Sequence, residues 1–197
     1  MKRDVLYLTR PAASDPELSD QALALACAGG DAAAIAALFD RFQRRVAGYV
    51  ARLCGGGPDV EDLVQATFVE VARGAATYQA ARGGVATWLF SVATNVVRHH
   101  RRATSRRLRL VAAFAREGHA PGDDPAGSAD ARMLLGRAEQ ALAGLAHELR
   151  EAFVLCELEG LSAGDAASVL GASEAAVWKR VSKARHALRA SVLGGGA

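Results

Sequence analysis

Lysine and arginine side chains share one face of a predicted helix near the C-terminal end of this 197-residue sequence. They are Lys179, Arg180, Lys183, Arg185 and Arg189. Such side chains bind phosphates and the acceptor edges of bases, and Glu174 is the one acidic residue in the same helix. The face therefore suits the major groove of DNA. The alternative is a surface helical hairpin with a solvated basic face.

A helix-turn-helix is predicted to present this basic face. Ser162 is placed to cap the first helix, with Asp165 three residues later, and Ser173 is placed to cap the second. Gly171 lies between them, where a left-handed residue can end the first helix without steric cost. The apolar residues expected to bury the second helix are Val177, Val181, Ala184 and Leu188.

A second basic segment, which also contains His99 and His100, lies in the middle of the chain and is interrupted by no acidic residue. Its arginines are Arg98, Arg101, Arg102, Arg106, Arg107 and Arg109. Acidic residues gather elsewhere, within 59–70 and 123–130, so the net charge is only +3. Separate basic and acidic surfaces suit a protein that binds nucleic acid with one and a protein partner with the other.

Apolar residues at intervals of three and four predict the helices that carry these groups. In the N-terminal half the helices are expected over 20–28, 31–54, 59–75 and 87–107, with an ordered loop at 76–86. Gly29-Gly30 and Gly55-Gly56-Gly57-Pro58 separate the first three. Helices with short connections of this kind predict a compact all-α domain.

The fold class predicted for the whole chain is all-α, with two small helical domains joined by a flexible linker. An irregular N-terminus at 1–19 precedes a first domain at 20–112. The segment 113–130 is rich in glycine and proline and is typical of a linker. The second domain, at 131–193, contains the helix-turn-helix, and 194–197 is a short tail.

Neither an enzyme nor a metal site is predicted. The sequence contains no phosphate-binding glycine motif, no metal-ligand spacing and no nucleophile-base pair, so no cofactor is expected. Cys27, Cys54 and Cys156 are widely separated and are expected to be small buried residues. The charged N-terminus lacks the apolar segment of a signal peptide, and no run reaches the length of a membrane span, which predicts a cytoplasmic protein.

Four strings of sequence resemble the extracytoplasmic-function (ECF) sigma factors of bacterial RNA polymerase. Residues 59–68 are similar to the acidic helix that binds core polymerase, and 87–95 to the helix that melts the promoter. Residues 149–162 resemble the approach to the helix-turn-helix, and 161–185 the helix-turn-helix itself. The resemblance implies a promoter-specificity subunit that binds core polymerase, captures and melts the minus-ten element, and recognises the minus-thirty-five element.

The resemblance also implies roles for residues of the first domain. Asp62 and Gln65, three apart on one helical face, are expected to contact the clamp helices of the polymerase; the alternative is a solvated face. The expected minus-ten DNA-binding residues are Tyr78, Arg82, Asn95, Arg98, Arg101 and Arg102. Tyr78 would stack on an unpaired base and Asn95 would bind a base edge, while the arginines hold phosphates. Trp88 would either act as a wedge that helps to melt the promoter or pack in the core, as its spacing along the helix favours.

In the second domain the resemblance implies contacts with the minus-thirty-five element. The residues expected at base edges are Trp178, Lys179, Ser182 and Lys183, with Arg180 and Arg185 on phosphates. Trp178 replaces the polar or basic residue usual at that position. It would either meet a thymine methyl group or pack against the neighbouring helix.

The partners implied are core RNA polymerase, through its clamp helices and flap, promoter DNA and a cognate anti-sigma factor. The protein is expected to be monomeric outside the holoenzyme, with no insertion into a membrane. Two alternatives remain. A stand-alone helix-turn-helix regulator would bind its DNA site without polymerase, and a sigma mimic that only binds an anti-sigma factor would bind neither DNA nor polymerase.

Overall fold

The computed structural model describes the backbone of residues 18–114 and 129–193, and the side chains of 18–106 and 136–191. All regular structure in these ranges is helical. The helices are α1 (Asp20–Ala28), α2 (Ala32–Cys54), α3 (Asp59–Gly74), α4 (Val85–Phe114), α5 (Ala129–Gly144), α6 (His147–Phe153), α7 (Ala163–Leu170) and α8 (Glu174–Leu193). The all-α prediction is confirmed.

Helices α1 to α4 form the N-terminal domain around a buried apolar core. Asp31 caps α2, accepting hydrogen bonds from the backbone N–H groups of the next turn, and Gly55 ends it with a φ of 80°. Tyr49 is fully buried, and its hydroxyl lies 2.6 Å from that of Thr94 on α4. This bond satisfies a polar group that would otherwise be costly to bury, and it fixes α2 against α4.

The basic helix α4 is longer than the sequence predicted. It runs from Val85 to Phe114 rather than over 87–107. The backbone N–H of Trp88 donates to the Gly84 carbonyl at 3.1 Å, so the helix begins directly after that glycine. No glycine or proline interrupts residues 107–114, which explains the later end. The loop before α4 contains two single 3₁₀ turns, at Ala75–Thr77 and Ala80–Arg82.

Helices α5 to α8 form the C-terminal domain, and α7 and α8 have the predicted helix-turn-helix signals. Ser162 caps α7 by accepting from the Asp165 backbone N–H at 3.1 Å, and Ser173 accepts from the Ala176 N–H at 3.3 Å. Gly171 adopts the left-handed conformation with a φ of 63°. The seam residues Val177, Val181 and Ala184 are fully buried, and Leu188 packs against them at the edge of the core. Between α6 and α7 the chain makes a π-helical turn, Val154–Leu158.

The two domains lie against each other in the described structure. Helix α7 packs on α4, and α5, α6 and the π-helical turn pack on α2, so that one continuous cluster of buried apolar residues spans both domains. No local sequence pattern indicates this interface. Of the predicted linker, 113–114 belong to α4 and 129–130 to α5. The described residues do not include the remainder of the linker (115–128). They also do not include the N-terminal segment 1–17 or the tail 194–197.

Candidate nucleic-acid and polymerase interfaces

The outer face of α8 presents the predicted minus-thirty-five residues to solvent. Trp178 is 53% exposed, which excludes packing against the neighbouring helix in this structure. Lys179, Ser182 and Lys183 are also exposed, because the seam on the opposite side is turned into the core. A large aromatic ring left in solvent near the start of α8 has apolar area available for a ligand.

Two arginines of α8 are tied to acidic residues of their own domain. Arg180 Nη2 lies 3.1 Å from Glu148 Oε2, and Arg185 Nη2 lies 2.6 Å from Glu157 Oε1. Both pairs are partly exposed, so each contributes little free energy and is weakened by salt. A phosphate can replace either carboxylate because the guanidinium geometry suits both anions.

On α4, arginines line one open depression of about 530 Å³, formed by Arg98, Arg101, Arg102, Ser105 and Arg106. Arg101 and Arg102 are exposed, and Arg102 Nε donates to the Arg98 carbonyl at 3.2 Å. No carboxylate is among the described residues that line this depression. The concentration of like charge attracts phosphates irrespective of base sequence.

The predicted base-capture residues do not share one pocket. Tyr78 is 8% exposed, with its ring centroid 5.4 Å from that of Trp88, which itself packs against the core. Asn95 is exposed and lines a groove of about 540 Å³ between α3 and α4, together with Glu70 and His99. Arg82 is exposed in the preceding loop. Stacking of Tyr78 on a base would require its ring to leave Trp88.

Arg98 differs from the other arginines of α4 because it binds Glu151 of α6. Its Nε and Nη2 donate to the two carboxylate oxygens at 2.7 and 2.8 Å, and Glu151 is 1% exposed. His147 Nε2 lies 2.9 Å from Glu151 Oε1. Burial raises the pKa of Glu151, but His147 and Arg98 outweigh burial and lower this pKa to about 2. Sequence patterns gave no signal for this pair, whose members lie in different domains.

The predicted polymerase-binding residues lie on the exposed face of α3. Asp62 and Gln65 are both exposed, and one turn further along the same stripe Val69 is 47% exposed. The sequence did not indicate that Val69 belongs to this exposed stripe. Its position on α3 is at the edge of the apolar face, where a side chain can be either buried or exposed. An apolar side chain flanked by polar ones is typical of a protein-binding surface.

Within the described ranges no helix is both long and apolar enough to span a membrane. The same ranges contain no group of histidine, cysteine, aspartate and glutamate side chains that could hold a metal ion.

Two family models match the chain at the domains just described. Sigma-70 region 2 matches residues 38–107, and Sigma-70 region 4 matches residues 135–188. Regions 2 and 4 in this order define a sigma-70-type promoter-specificity subunit of bacterial RNA polymerase.

Relatives that match most of the chain show which group of these sigma factors it belongs to. The ECF RNA polymerase sigma factor SigC of Mycobacterium tuberculosis is 37% identical over 179 residues, covering 90% of this chain and 93% of the relative. The ECF sigma-E factor of Haemophilus influenzae is 28% identical, covering 86% and 93%. The chain therefore belongs to the ECF sigma factors, and it directs bacterial RNA polymerase to a specific set of promoters.

Two solved structures with similar folds are of proteins bound to a partner. CnrH, in complex with the cytosolic domain of CnrY, is 31% identical, with a TM-score of 0.65 over 90% of this chain and 99% of CnrH. RpoE of Bartonella quintana, in complex with the anti-sigma factor NepR, is 25% identical, with a TM-score of 0.65 over 78% and 93%.

Proposed function

We propose that three separate surfaces divide the work of this sigma factor. The stripe of Asp62 and Gln65 on α3 contacts core polymerase, the arginines of α4 hold the minus-ten region, and the outer face of α8 reads the minus-thirty-five element. The observation that carries the proposal is the exposure of Trp178, Lys179 and Lys183 on one side of a buried helical seam.

In α8 the base-edge contacts fall to the residues nearest the start of the helix. Lys179, Ser182 and Lys183 supply donors for guanine and other acceptor edges, and Trp178 supplies apolar area for a thymine methyl group. Arg180 and Arg185 exchange Glu148 and Glu157 for phosphates, since their pairs are exposed and weak. These arginines set the register of the helix on the duplex.

In the N-terminal domain Arg101 and Arg102 hold phosphates without reading sequence, and Arg98 joins them once it is released from Glu151. Asn95 hydrogen-bonds a base edge in the groove between α3 and α4. Tyr78 stacks on an unpaired base after its ring leaves Trp88, and Arg82 binds the backbone beside it.

The wider role follows from this arrangement. The protein acts in the cytoplasm, where polymerase and promoter DNA are, and it is a binding subunit with no catalytic chemistry of its own. It is monomeric outside the holoenzyme, and its activity is controlled by a cognate anti-sigma factor. Support for that partner comes from RpoE of Bartonella quintana, which is bound to an anti-sigma factor in a structure similar to this one.

Experiments with reconstituted holoenzyme test the roles of the three surfaces. The promoters that the holoenzyme uses are mapped from the start sites of its transcripts. Lys183→Ala should reduce initiation about fivefold or more at promoters with a matching minus-thirty-five element, since one base contact contributes about 1–3 kcal/mol. Asp62→Arg should instead abolish binding to core polymerase. Arg44→Ala is the matched control, because Arg44 is an exposed arginine of α2 outside all three surfaces.

Two results would contradict the proposal. If Lys183→Ala left the promoter profile unchanged, α8 would not read bases through this residue. If Asp62→Arg bound core polymerase normally, the stripe on α3 would not be the contact surface. A protein that bound its DNA site fully without polymerase would be a stand-alone regulator instead.

A further inference from the structure

A separate cavity of about 440 Å³ lies where the C-terminal end of α2 meets α4, α5 and α6. Its volume is within the range of small-molecule sites, about 300–1,000 Å³. A β-carbon added at Gly55 would lie 3.6 Å from the Ala143 β-carbon, so α2 and α5 approach closely at this point. The cavity differs from the arginine-lined depression on α4, with which it shares Arg101 and Ser105.

The cavity is lined by two guanidinium groups from different domains, neither of which is paired with a carboxylate of the described chain. Among the described residues, the Nη atoms of Arg150 donate to backbone carbonyls only, those of Leu53, Ala143 and Leu145. The Nε of Arg150 is buried and has no hydrogen-bond partner there. Arg101 is exposed and makes no ion pair within the described ranges.

The positive charges of these two arginines act on each other. Burial and, after it, the charge of Arg101 lower the pKa of Arg150. Bringing two like charges together costs free energy, and an anion bound between them would interact favourably with both. The cavity therefore combines a cationic lining with space for a ligand.

One carboxylate also lines the cavity, and it is already paired. Asp59 Oδ2 lies 3.3 Å from His100 Nε2, and the Asp59 side chain is 62% exposed, so solvent screens its charge. Thr104 Oγ1 lies 3.4 Å from the same nitrogen of His100. Because two arginines face one aspartate, the lining keeps a positive net charge whether His100 is neutral or protonated.

Phosphate is the anion that this set of donors fits best. A guanidinium group donates two parallel N–H bonds to a phosphate, and guanidinium groups on two helices can bind different oxygens of one ligand. The hydroxyl groups of Thr104 and Ser105, on α4 beside Arg101, are further donors. Leu53 and Cys54 of α2 add apolar surface for the remainder of a small molecule.

We propose that this cavity binds a small phosphorylated molecule through Arg101 and Arg150, with Thr104 and Ser105 as further donors. A small molecule fits better than DNA, because Arg150 is half-buried between the ends of α2 and α5, where a duplex backbone has no open surface to approach. Binding at this cavity does not depend on the proposed role of α4 in promoter recognition.

Isothermal titration calorimetry of the full-length protein tests the site, with pyrophosphate and inorganic phosphate as probes at constant ionic strength. Pyrophosphate should bind more tightly than phosphate, since it can present an anionic group to each arginine. Arg101→Ala should weaken the binding of pyrophosphate about tenfold or more, because it removes a charge-assisted hydrogen-bonding group. Arg102→Ala is the matched control. Arg102 is the next exposed arginine of α4 and lines the other depression but not this cavity, so its removal should leave the affinity close to that of wild type.

A second variant tests the C-terminal side of the cavity while both arginines stay in place. Ala143→Glu adds a carboxylate where the wild-type side chain is small and exposed, and it should abolish the binding of pyrophosphate. Gln140→Glu is its control, because it adds the same charge to an exposed position of α5 outside the cavity and should not change the affinity. Circular dichroism verifies that both variants are folded.

Three results would overturn the proposal. Wild-type protein that did not bind pyrophosphate would have no such site. Equal losses in Arg101→Ala and Arg102→Ala would place the anion in the arginine-lined depression instead. Retention of binding by Ala143→Glu would exclude the cavity.

Promoter binding by holoenzyme distinguishes a small molecule from DNA as the source of the phosphate. Ala143→Glu and Gln140→Glu should both bind promoters as wild type does. If Ala143→Glu alone weakened promoter binding, the cavity would hold a phosphate of DNA and the proposal of a small-molecule site would be wrong.

Discussion

The two basic surfaces of this protein differ in how much of the chain defines them. The outer face of α8 depends on a short stretch of sequence, in which Ser173 caps the helix and a buried seam sets its rotation. The surface on α4 depends on α6 and α7, which lie far along the chain, because Glu151 takes Arg98 and α7 covers the start of the helix. In this structure the face of α8 is exposed, whereas part of the basic surface of α4 is covered by the other domain.

The strongest test of this difference is removal of Glu151, since its carboxylate is buried against Arg98. Glu151→Ala leaves an unpaired guanidinium at the interface and should lower the free energy of unfolding by about 3 kcal/mol. Thermal or urea unfolding followed by circular dichroism measures the loss. Glu148→Ala is the control, because the Glu148 side chain is 73% exposed and its pair with Arg180 should contribute less than about 1 kcal/mol. If the two substitutions lowered the free energy of unfolding equally, the buried pair would contribute no more to stability than the exposed one.

A smaller effect is expected from a change confined to the helix-turn-helix. Gly171→Val places a β-branched residue at a φ of 63°, which should cost about 1–2 kcal/mol. Nothing described lies within 4 Å of an added β-carbon there, so the cost comes from the backbone and not from a clash. Binding to the minus-thirty-five element should fall with stability, whereas the radius of gyration of the folded protein should not change. An expanded folded state would show that this turn also holds the domains together.

The smallest effect is expected from mild acid. The pKa of Glu151 in the folded protein is about 2, below the ordinary value of 4.5, so its ionised form stabilises the contact between the domains. The stabilisation by ionised Glu151 is complete above about pH 4.5 and is lost as the pH falls toward 2. Small-angle X-ray scattering at pH 4 should give a slightly larger radius of gyration than at pH 7, and Glu151→Gln should remove that part of the pH dependence. If the pH profiles of the wild type and of Glu151→Gln coincided, Glu151 would not be the titrating group.

Sequence alone predicted the features that local signals determine. The caps at Ser162 and Ser173, the left-handed Gly171 and the seam of α8 were all correct, because each depends on neighbours within one or two helical turns. The exposure of Trp178 excludes internal packing in this structure, and its contact with a base remains a prediction.

Features that depend on distant residues were not predictable in this way. Arg98 and Glu151 are 53 residues apart, and no periodicity connects them. Tyr78 was expected to face a base, yet its ring is buried against Trp88, because the 3₁₀ turns before α4 bring the two rings together. The assignments of DNA and polymerase contacts remain predictions, since they concern molecules outside the chain.

The unbroken course of α4 as far as Phe114 limits how far apart the promoter elements can be. The chain re-enters helical structure at Ala129, 15 residues later, and that many peptide units reach about 50 Å at full extension. No rearrangement of the domains can separate the end of α4 from the start of α5 by more than this covalent length. Promoters served by this protein must therefore fit a fixed maximum spacer, whatever bases their two elements contain.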